Sequence, residues 1–434
     1  MHFTTQKVLL SDMILCLSKV MEWMSPAIVA HQMRVAYIAR TLAGELGLSS
    51  EQQNELTLAG VLHDIGSFSL KEETCQSGYE TEPHLVMKHS ELGYLLIRDF
   101  RPFRQVAELI RHHHTPWGNG RAKELQGGRN FHPAQIIYLA GKIDGLINWN
   151  EEILGQVRGI CNYIRKGSGE LFVPVYVDAF LAVAEREYFW FTLESATISQ
   201  AVVSDLRFVN IELDYDNMVN LSKVFSHLID FRCRYTATHS SGVAGTAEAL
   251  ARLYSFSESG VQMIKVAGYL HDIGKLTIPR EILHKPEKLT PEEFNRVKRH
   301  PFWTYQALSN IRGMDEISTW ASFHHERIDS RGYPFHYNGG ELPLGSRIIA
   351  VADVFTALLE DRPYRPGMTR KTARAILQEM AESRALDAGV VASLVNNIDQ
   401  IDECRMTAQA DSASLYAEFN RTSEVNSTGY LHAV

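Results

Sequence analysis

YLHDIGK at 269–275 has a near copy in VLHDIGS at 61–67. Working outward from this pair, each His-Asp step lies 32 residues after a lone histidine, His31 in the first half and His239 in the second. Downstream, His89 in KHSELGYLLI matches His300 in RHPFWTYQAL. A histidine pair follows 24 residues later in both halves, His113–His114 and His324–His325. IIYLAGKIDGL from Ile136 then parallels IIAVADVFTAL from Ile348, and FVPVYVDAF from Phe172 echoes LDAGVVASL from Leu386. Matching order and spacing over this length mark an internal repeat. The chain is therefore expected to fold as two similar domains.

Between these landmarks the signals are helical. Apolar residues recur at three-to-four spacing in Val243–Tyr254, Glu292–Ile311 and Thr369–Ser383, and Pro291 and Thr369 stand at helix starts. Alternating strand patterns are scarce. The reading is an all-α protein with a first domain over 1–195, a connecting segment over 196–216, a second domain over 217–404 and a polar, solvated tail over 405–434.

Composition limits the function classes. The chain has 434 residues, 45% hydrophobic and 22% charged, enough to bury two cores without disulfides. With 43 basic and 51 acidic residues the net charge is −8, which argues against binding a nucleic-acid polymer and requires a local cationic site for any anionic ligand. Five dispersed cysteines read as free thiols in a reducing, cytoplasmic setting. Asp12, Lys19 and Glu22 interrupt the apolar start, so it reads as an amphipathic helix, with no membrane insertion.

The candidate chemistry is a metal centre. His239, His271, Asp272, His300, His324, His325 and Asp353 give five histidines and two carboxylates, a set suited to one or two borderline divalent ions. Neighbours on a helix point about 100° apart, so His271 and Asp272 can reach different ions, and Asp272 is the natural bridge. His239, His271 and Asp353 are assigned to one ion, and His300, His324 and His325 to the other. The alternative is a set of core histidines scattered over several helices. Nitrogen and oxygen donors without thiolate suit Mn, Fe, Ni, Co or Zn.

The motifs HDIGK at 271–275, HHERIDSRGYP at 324–334, ADVFTAL at 352–358 and DRPYRPG at 361–367 resemble the HD-GYP phosphodiesterases, the branch of the HD superfamily that acts on bacterial cyclic dinucleotides. The likeness spans about half of the chain. It implies two HD-superfamily helical domains in tandem and the seven metal ligands above. It also implies that Lys275, Gly332, Tyr333, Arg362 and Arg365 face the substrate, with Asp272 and Lys275 catalytic, and it tilts the metal towards iron or manganese. Family members with a third metal carry a glutamate where this chain has Tyr235, which favours two ions. Ser330 replaces a glycine of the DGxGYP motif, and Arg365 stands where lysine is frequent. In mechanism, two ions activate a water against phosphorus, and Lys275 helps neutralise the phosphoryl oxygens. Lys275 lies four residues after His271, hence on the same helix face and able to point at the same cavity. The general acid is open between a metal-bound water and Asp353.

The first copy is degenerate. His31, His63, Asp64, His89, His113 and His114 persist, but Gly141 stands for Asp353, Ser67 for Lys275, and HHHTPWGNG from His112 replaces the GYP loop. Such a domain supports or regulates the other. It either holds one ion through His63, Asp64, His89 and the His113–His114 pair, or keeps its histidines as relics in a core. The expected activity is hydrolysis of a cyclic dinucleotide to its linear form. The family acts mainly on cyclic di-GMP, and some members with this tandem layout, Vibrio proteins among them, act on 3′,3′-cyclic GMP-AMP. A non-hydrolysing receptor and a general HD-type nucleotidase are the competing readings. Besides the substrate, a homodimer is left open as a partner.

Overall fold

The computed structural model describes residues 7–69, 83–115, 117–119, 133–206, 211–232, 236–285, 287–361 and 366–424. Helices dominate. The strands among the described residues are two short ones, Val8–Leu9 and Glu212–Leu213, paired antiparallel with Val8 opposite Leu213. None of the described helices is long and apolar enough to cross a membrane. Cys16, Cys161 and Cys404 are free; Cys75 and Cys233 lie outside the described residues.

The chain divides into two compact units. One comprises Ser25–Asn210 with Phe419–Val434, the other Met1–Met24 with Ile211–Glu418. In the first unit, helices Pro26–Glu45, Ser50–Leu62, Pro83–Ile97, Arg104–His112 and Ala134–Gly145 carry the histidine landmarks. In the second, helices His239–Leu253, Glu258–Leu270, His300–Leu308, Asp315–Ser322 and Leu344–Leu359 take the same places. The repeat extends to local rules. Ser49 caps Ser50–Leu62 by accepting from Gln52 N, and Ser257, at the same place in the second copy, accepts from Gly260 N.

Close helix packing is repeated too. A Cβ on Gly60 would lie 2.5 Å from Ala36 Cα, and one on Gly268 would lie 2.7 Å from Ala244 Cα. In each unit the helix that ends in the His-Asp step is thereby pressed backbone to backbone against the helix that carries the lone histidine. Only glycine permits that approach.

Three expectations change. The first residues belong elsewhere: helix Leu10–Met24 joins the C-terminal unit, burying Met13, Leu17 and Val20 there and setting Trp23 against Trp303 with ring centroids 4.6 Å apart. The expected single segment Glu292–Ile311 is two helices, Pro291–Val297 and His300–Leu308, because Pro301 cannot continue a helix but suits the first turn of a new one. The expected solvated tail begins as helix, since Ile398–Glu424 runs far past Cys404. Its polar composition predicts solvent-facing residues, yet Arg405 and Ser412 are buried. Ser412 meets Ser241 Oγ at 2.6 Å and His227 Nε2 at 3.2 Å, and Gln409 donates to Glu360 at 2.7 Å. Polarity alone does not separate a solvated helix from one whose polar groups are paired inside.

Gly268→Ala should therefore cost roughly 1–3 kcal/mol through overpacking. Thermal denaturation of the full chain should show a melting temperature lower by about 2–4 °C per kcal/mol. An unchanged melting temperature would mean that these helices are not in backbone contact.

Candidate metal centre

The C-terminal ligand candidates converge, and nearly all of them do so from helix ends. His239 opens helix His239–Leu253, His271 and Asp272 follow the end of Glu258–Leu270, and His300 opens His300–Leu308. His324 and His325 lie in the turn after Asp315–Ser322, while Asp353 sits inside Leu344–Leu359. The His-Asp turn is clamped onto the next helix. A Cβ on Gly274 would lie 2.0 Å from His300 O, and Thr304 Oγ accepts from Gly274 N at 3.1 Å while donating to His271 O at 2.9 Å. Gly66 meets His89 O in the same way, its Cβ falling at 2.1 Å.

The donor atoms of His239, His271 and Asp353 lie within 4.8 Å of one another, as do those of His300, His324 and His325. A third group, His271, Asp272 and His324, overlaps both. Asp272 stands between them: Oδ2 is 3.3 Å from His271 Nε2, and Oδ1 is 3.2 Å from His300 Nε2.

Hydrogen bonds at the outer nitrogens test whether a metal fits. His271, His300 and His324 donate their Nδ1 protons to the carbonyls of Gly268, Val297 and Ala321 at 2.8, 2.7 and 2.6 Å. Rings so fixed at Nδ1 turn their Nε2 atoms inward, and His300 Nε2 faces His324 Nε2 at 3.2 Å. Two lone pairs at that distance repel unless a cation lies between them. His271 Nε2 and Asp272 Oδ1 are buried and make no hydrogen bond of proper geometry among the described residues. The donor set fits divalent metal.

Charge states agree with ligand roles. Burial, then the neighbouring His325 and His271, holds His324 well below the usual imidazole range, and burial with His300 pushes His325 down to about 3. Burial alone would raise Asp272, but the charges of His271 and Lys275 outweigh it and keep the carboxyl well below its ordinary value. Asp353 behaves likewise, with His239 as the main opposing partner. His239 and His271 differ. Burial lowers both, but the Asp272 carboxylate outweighs it at His271 and holds that ring above the usual imidazole range. At His239 the Glu360 and Asp353 carboxylates raise the pKa to about 10, so ion binding there must displace a proton.

The remaining candidates divide. Lys275 reaches the cluster, with Nζ 2.5 Å from Asp272 Oδ2, but not by helix register. The helix ends at Leu270, and Lys275 arrives on the tight 3-10 turn Ile273–Thr277. Tyr333 lies 4.8 Å from the His325 ring. Gly332, expected to face substrate, is buried instead, and a Cβ there would lie 2.4 Å from Glu326 Cα. Its place is to let the loop cross that backbone. Ser330 holds φ +63, the left-handed conformation that its glycine counterpart adopts without strain. Arg362, Arg365 and Tyr235 fall outside the described residues.

Sequence reading missed four residues. Glu360 accepts from His239 Nδ1 at 2.8 Å, giving that histidine a carboxylate where His271, His300 and His324 use carbonyls. It lies seven residues after Asp353, as the residue that caps the same helix, and that spacing could have pointed to it. Glu326 gathers the backbone N–H groups of Phe335, His336 and Tyr337 at 2.7, 3.2 and 3.2 Å, anchoring the loop that carries Tyr333. Lys298 and Arg299 line an open groove of about 500 Å³ with Phe302, Trp303 and Tyr333.

The N-terminal unit repeats the cluster. Asp64, His89, His113 and His114 place donors within 4.8 Å of one another, as do His31, His63 and Asp64. Gly141 offers no ligand, and Ser67 is buried where Lys275 stands in the other copy.

Two HD domain matches cover residues 28–146 and 223–390. Over 397 residues, 89% of this chain and 91% of the relative, the sequence is 30% identical to 3′3′-cGAMP-specific phosphodiesterase 1 of Vibrio cholerae. The chain belongs to the HD-GYP phosphodiesterases. A cyclic di-GMP phosphodiesterase response regulator of Xanthomonas campestris is 38% identical over 40% of this chain and 47% of its own. The crystal structure of a cyclic GMP-AMP specific phosphodiesterase of V. cholerae superposes with a TM-score of 0.58 at 25% identity, covering 91% of this chain and 98% of that one. This HD-GYP phosphodiesterase thus carries two helical HD domains in tandem, a fold whose activity depends on metal.

If Glu360 orients His239, Glu360→Gln should weaken metal binding at that subsite by roughly 10–100-fold. Metal content after graded chelator dialysis measures this, and unchanged retention would remove Glu360 from the assembly.

Proposed function

We propose that the C-terminal domain linearises a cyclic dinucleotide, 3′,3′-cyclic GMP-AMP or cyclic di-GMP, with a pair of iron or manganese ions held by the seven ligands above. The observation that carries this is Asp272, buried between two histidine groups with one oxygen turned to each. His239, His271 and Asp353 would hold one ion and His300, His324 and His325 the other, with Asp272 bridging. Bound there, such ions supply an activated water at neutral pH and positive charge for phosphoryl oxygens.

The chain's own residues do the rest. Asp272 and Asp353 stay ionised and the paired histidines neutral, which matches the charge of the ligand set to the ions. Lys275, a quarter exposed at the rim, can leave Asp272 for a phosphoryl oxygen as charge develops. Tyr333 offers a ring face beside His325, and Lys298 lies 5.2 Å over that ring. The adjoining groove adds Arg299, Phe302 and Trp303, a mixture of cations and aromatics that suits phosphate and base together. The named activities of the V. cholerae and X. campestris relatives support the same substrate class. The free thiols fit a reducing cytoplasm.

Chromatography of reaction products tests the proposal, using enzyme stripped with chelator and reloaded with Mn²⁺ or Fe²⁺. The panel holds both cyclic dinucleotides and a mononucleotide. Linear dinucleotide should form only with metal, and Asp272→Ala should lose both ions and all turnover. Tight binding without turnover under any metal would instead establish a receptor, and faster mononucleotide cleavage a general nucleotidase. Lys275→Met should keep its metal and lose about 100-fold in kcat, the scale of removing one transition-state donor.

A further inference from the structure

The two HD domains differ at three matched positions that meet in space. Arg34 lies three residues after His31, where Gly242 follows His239. Asp144 takes the place of Thr356, and Gly141 that of the ligand Asp353. In the C-terminal domain Gly242 lies close to Thr356, since a Cβ there would fall 2.8 Å from the threonine methyl. The N-terminal domain replaces this small uncharged pair with an ion pair. Arg34 Nε donates to Asp144 Oδ1, Nη2 reaches Oδ2 at 3.3 Å, and the guanidinium lies 4.0 Å over the Trp149 ring. Asp144 Oδ2 also accepts from His31 Nδ1 at 2.5 Å.

This arrangement closes one subsite and leaves the other. Both Asp144 oxygens are occupied, and they sit on the Nδ1 side of His31, not on the Nε2 side that faces Asp64 at 3.9 Å. Asp144 therefore does for His31 what Glu360 does for His239, and it is no substitute for Asp353. The fixed Arg34 charge beside it opposes a second cation. The other subsite keeps all four donors. His89 Nε2 lies 3.3 Å from His113 Nε2, 3.1 Å from His114 Nε2 and 3.2 Å from Asp64 Oδ1. His113 commits its Nδ1 proton to Ile110 O at 2.6 Å, so its Nε2 lone pair points into the cluster.

We propose that the N-terminal domain holds a single divalent transition-metal ion, caged by Asp64, His89, His113 and His114, with the Arg34–Asp144 pair standing in for the second ion. The proposal rests on the two-ion reading of the C-terminal domain only for the comparison of subsites. Three imidazoles and a carboxylate form a closed four-donor set, the pattern of a structural ion. Buried Ser67 in place of Lys275 leaves no cation there for a phosphate. The ion ties the turn at Asp64 to helix Pro83–Ile97 and to the turn after Arg104–His112.

Crystals of the full chain, stripped and reloaded with Mn²⁺, test this by anomalous diffraction at the manganese edge. One peak is expected in the N-terminal domain, between Asp64 and His114. No peak there, a peak beside His31, or two peaks would each overturn the proposal. Peaks in the C-terminal cluster report separately on the proposed function. In solution, His89→Gln with His114→Gln should lower metal content by one equivalent. The double variant Arg34→Gly, Gly141→Asp, which keeps Asp144 on His31, should raise it by one, so a loss of fold in the first variant still leaves a gain to be measured. Unchanged metal content in a folded double variant would show that the Arg34 charge does not exclude the second ion.

Discussion

A neutral imidazole has one lone pair, and the hydrogen bond at its other nitrogen decides where that pair points. In the C-terminal domain the carbonyls that end or precede three helices take the Nδ1 protons of His271, His300 and His324. The lone pairs left over then face one another and a buried carboxylate. Without cations this concentration of acceptors is repulsive; with them it becomes a cage. The rest of the structure answers to that requirement. Gly274 lets the His-Asp turn touch the His300 backbone, Thr304 pins it there, and Glu360 directs His239 from outside.

The duplicated domain shows which parts of this design are geometric and which are chemical. The glycines at 60 and 66 repeat those at 268 and 274 because both copies need the same backbone crossings. The clustered histidines persist with them. What differs is charge: Gly141 stands for Asp353, Ser67 for Lys275, and Arg34 with Asp144 for Gly242 and Thr356. The N-terminal unit therefore keeps the framework while losing the groups that a phosphodiester would meet.

Much of this was legible before any coordinates. Spacing of histidines in two matched series carries the fold class, the duplication and the candidate ligands, because side chains that share an ion must recur at fixed intervals in a repeated framework. Other inferences rest on local geometry that the structure does not keep. Helix register aims Lys275 at the cluster, whereas a tight turn brings it beside Asp272. Polar composition misread the start of the tail, whose Arg405, Gln409 and Ser412 are paired internally and not solvated.

By itself, then, the sequence determined the helical class, the tandem repeat and the set of side chains able to bind metal, since each depends on local periodicity and intervals along the chain. Only the tertiary structure decided that residues 8–24 join the distant C-terminal unit, that Gly332 serves a backbone crossing and that Glu326 and Glu360 support the site. It also decided that Arg34 and Asp144 pair beside His31. These depend on which atoms approach within hydrogen-bonding distance across more than a hundred residues, and no interval along the chain encodes that directly.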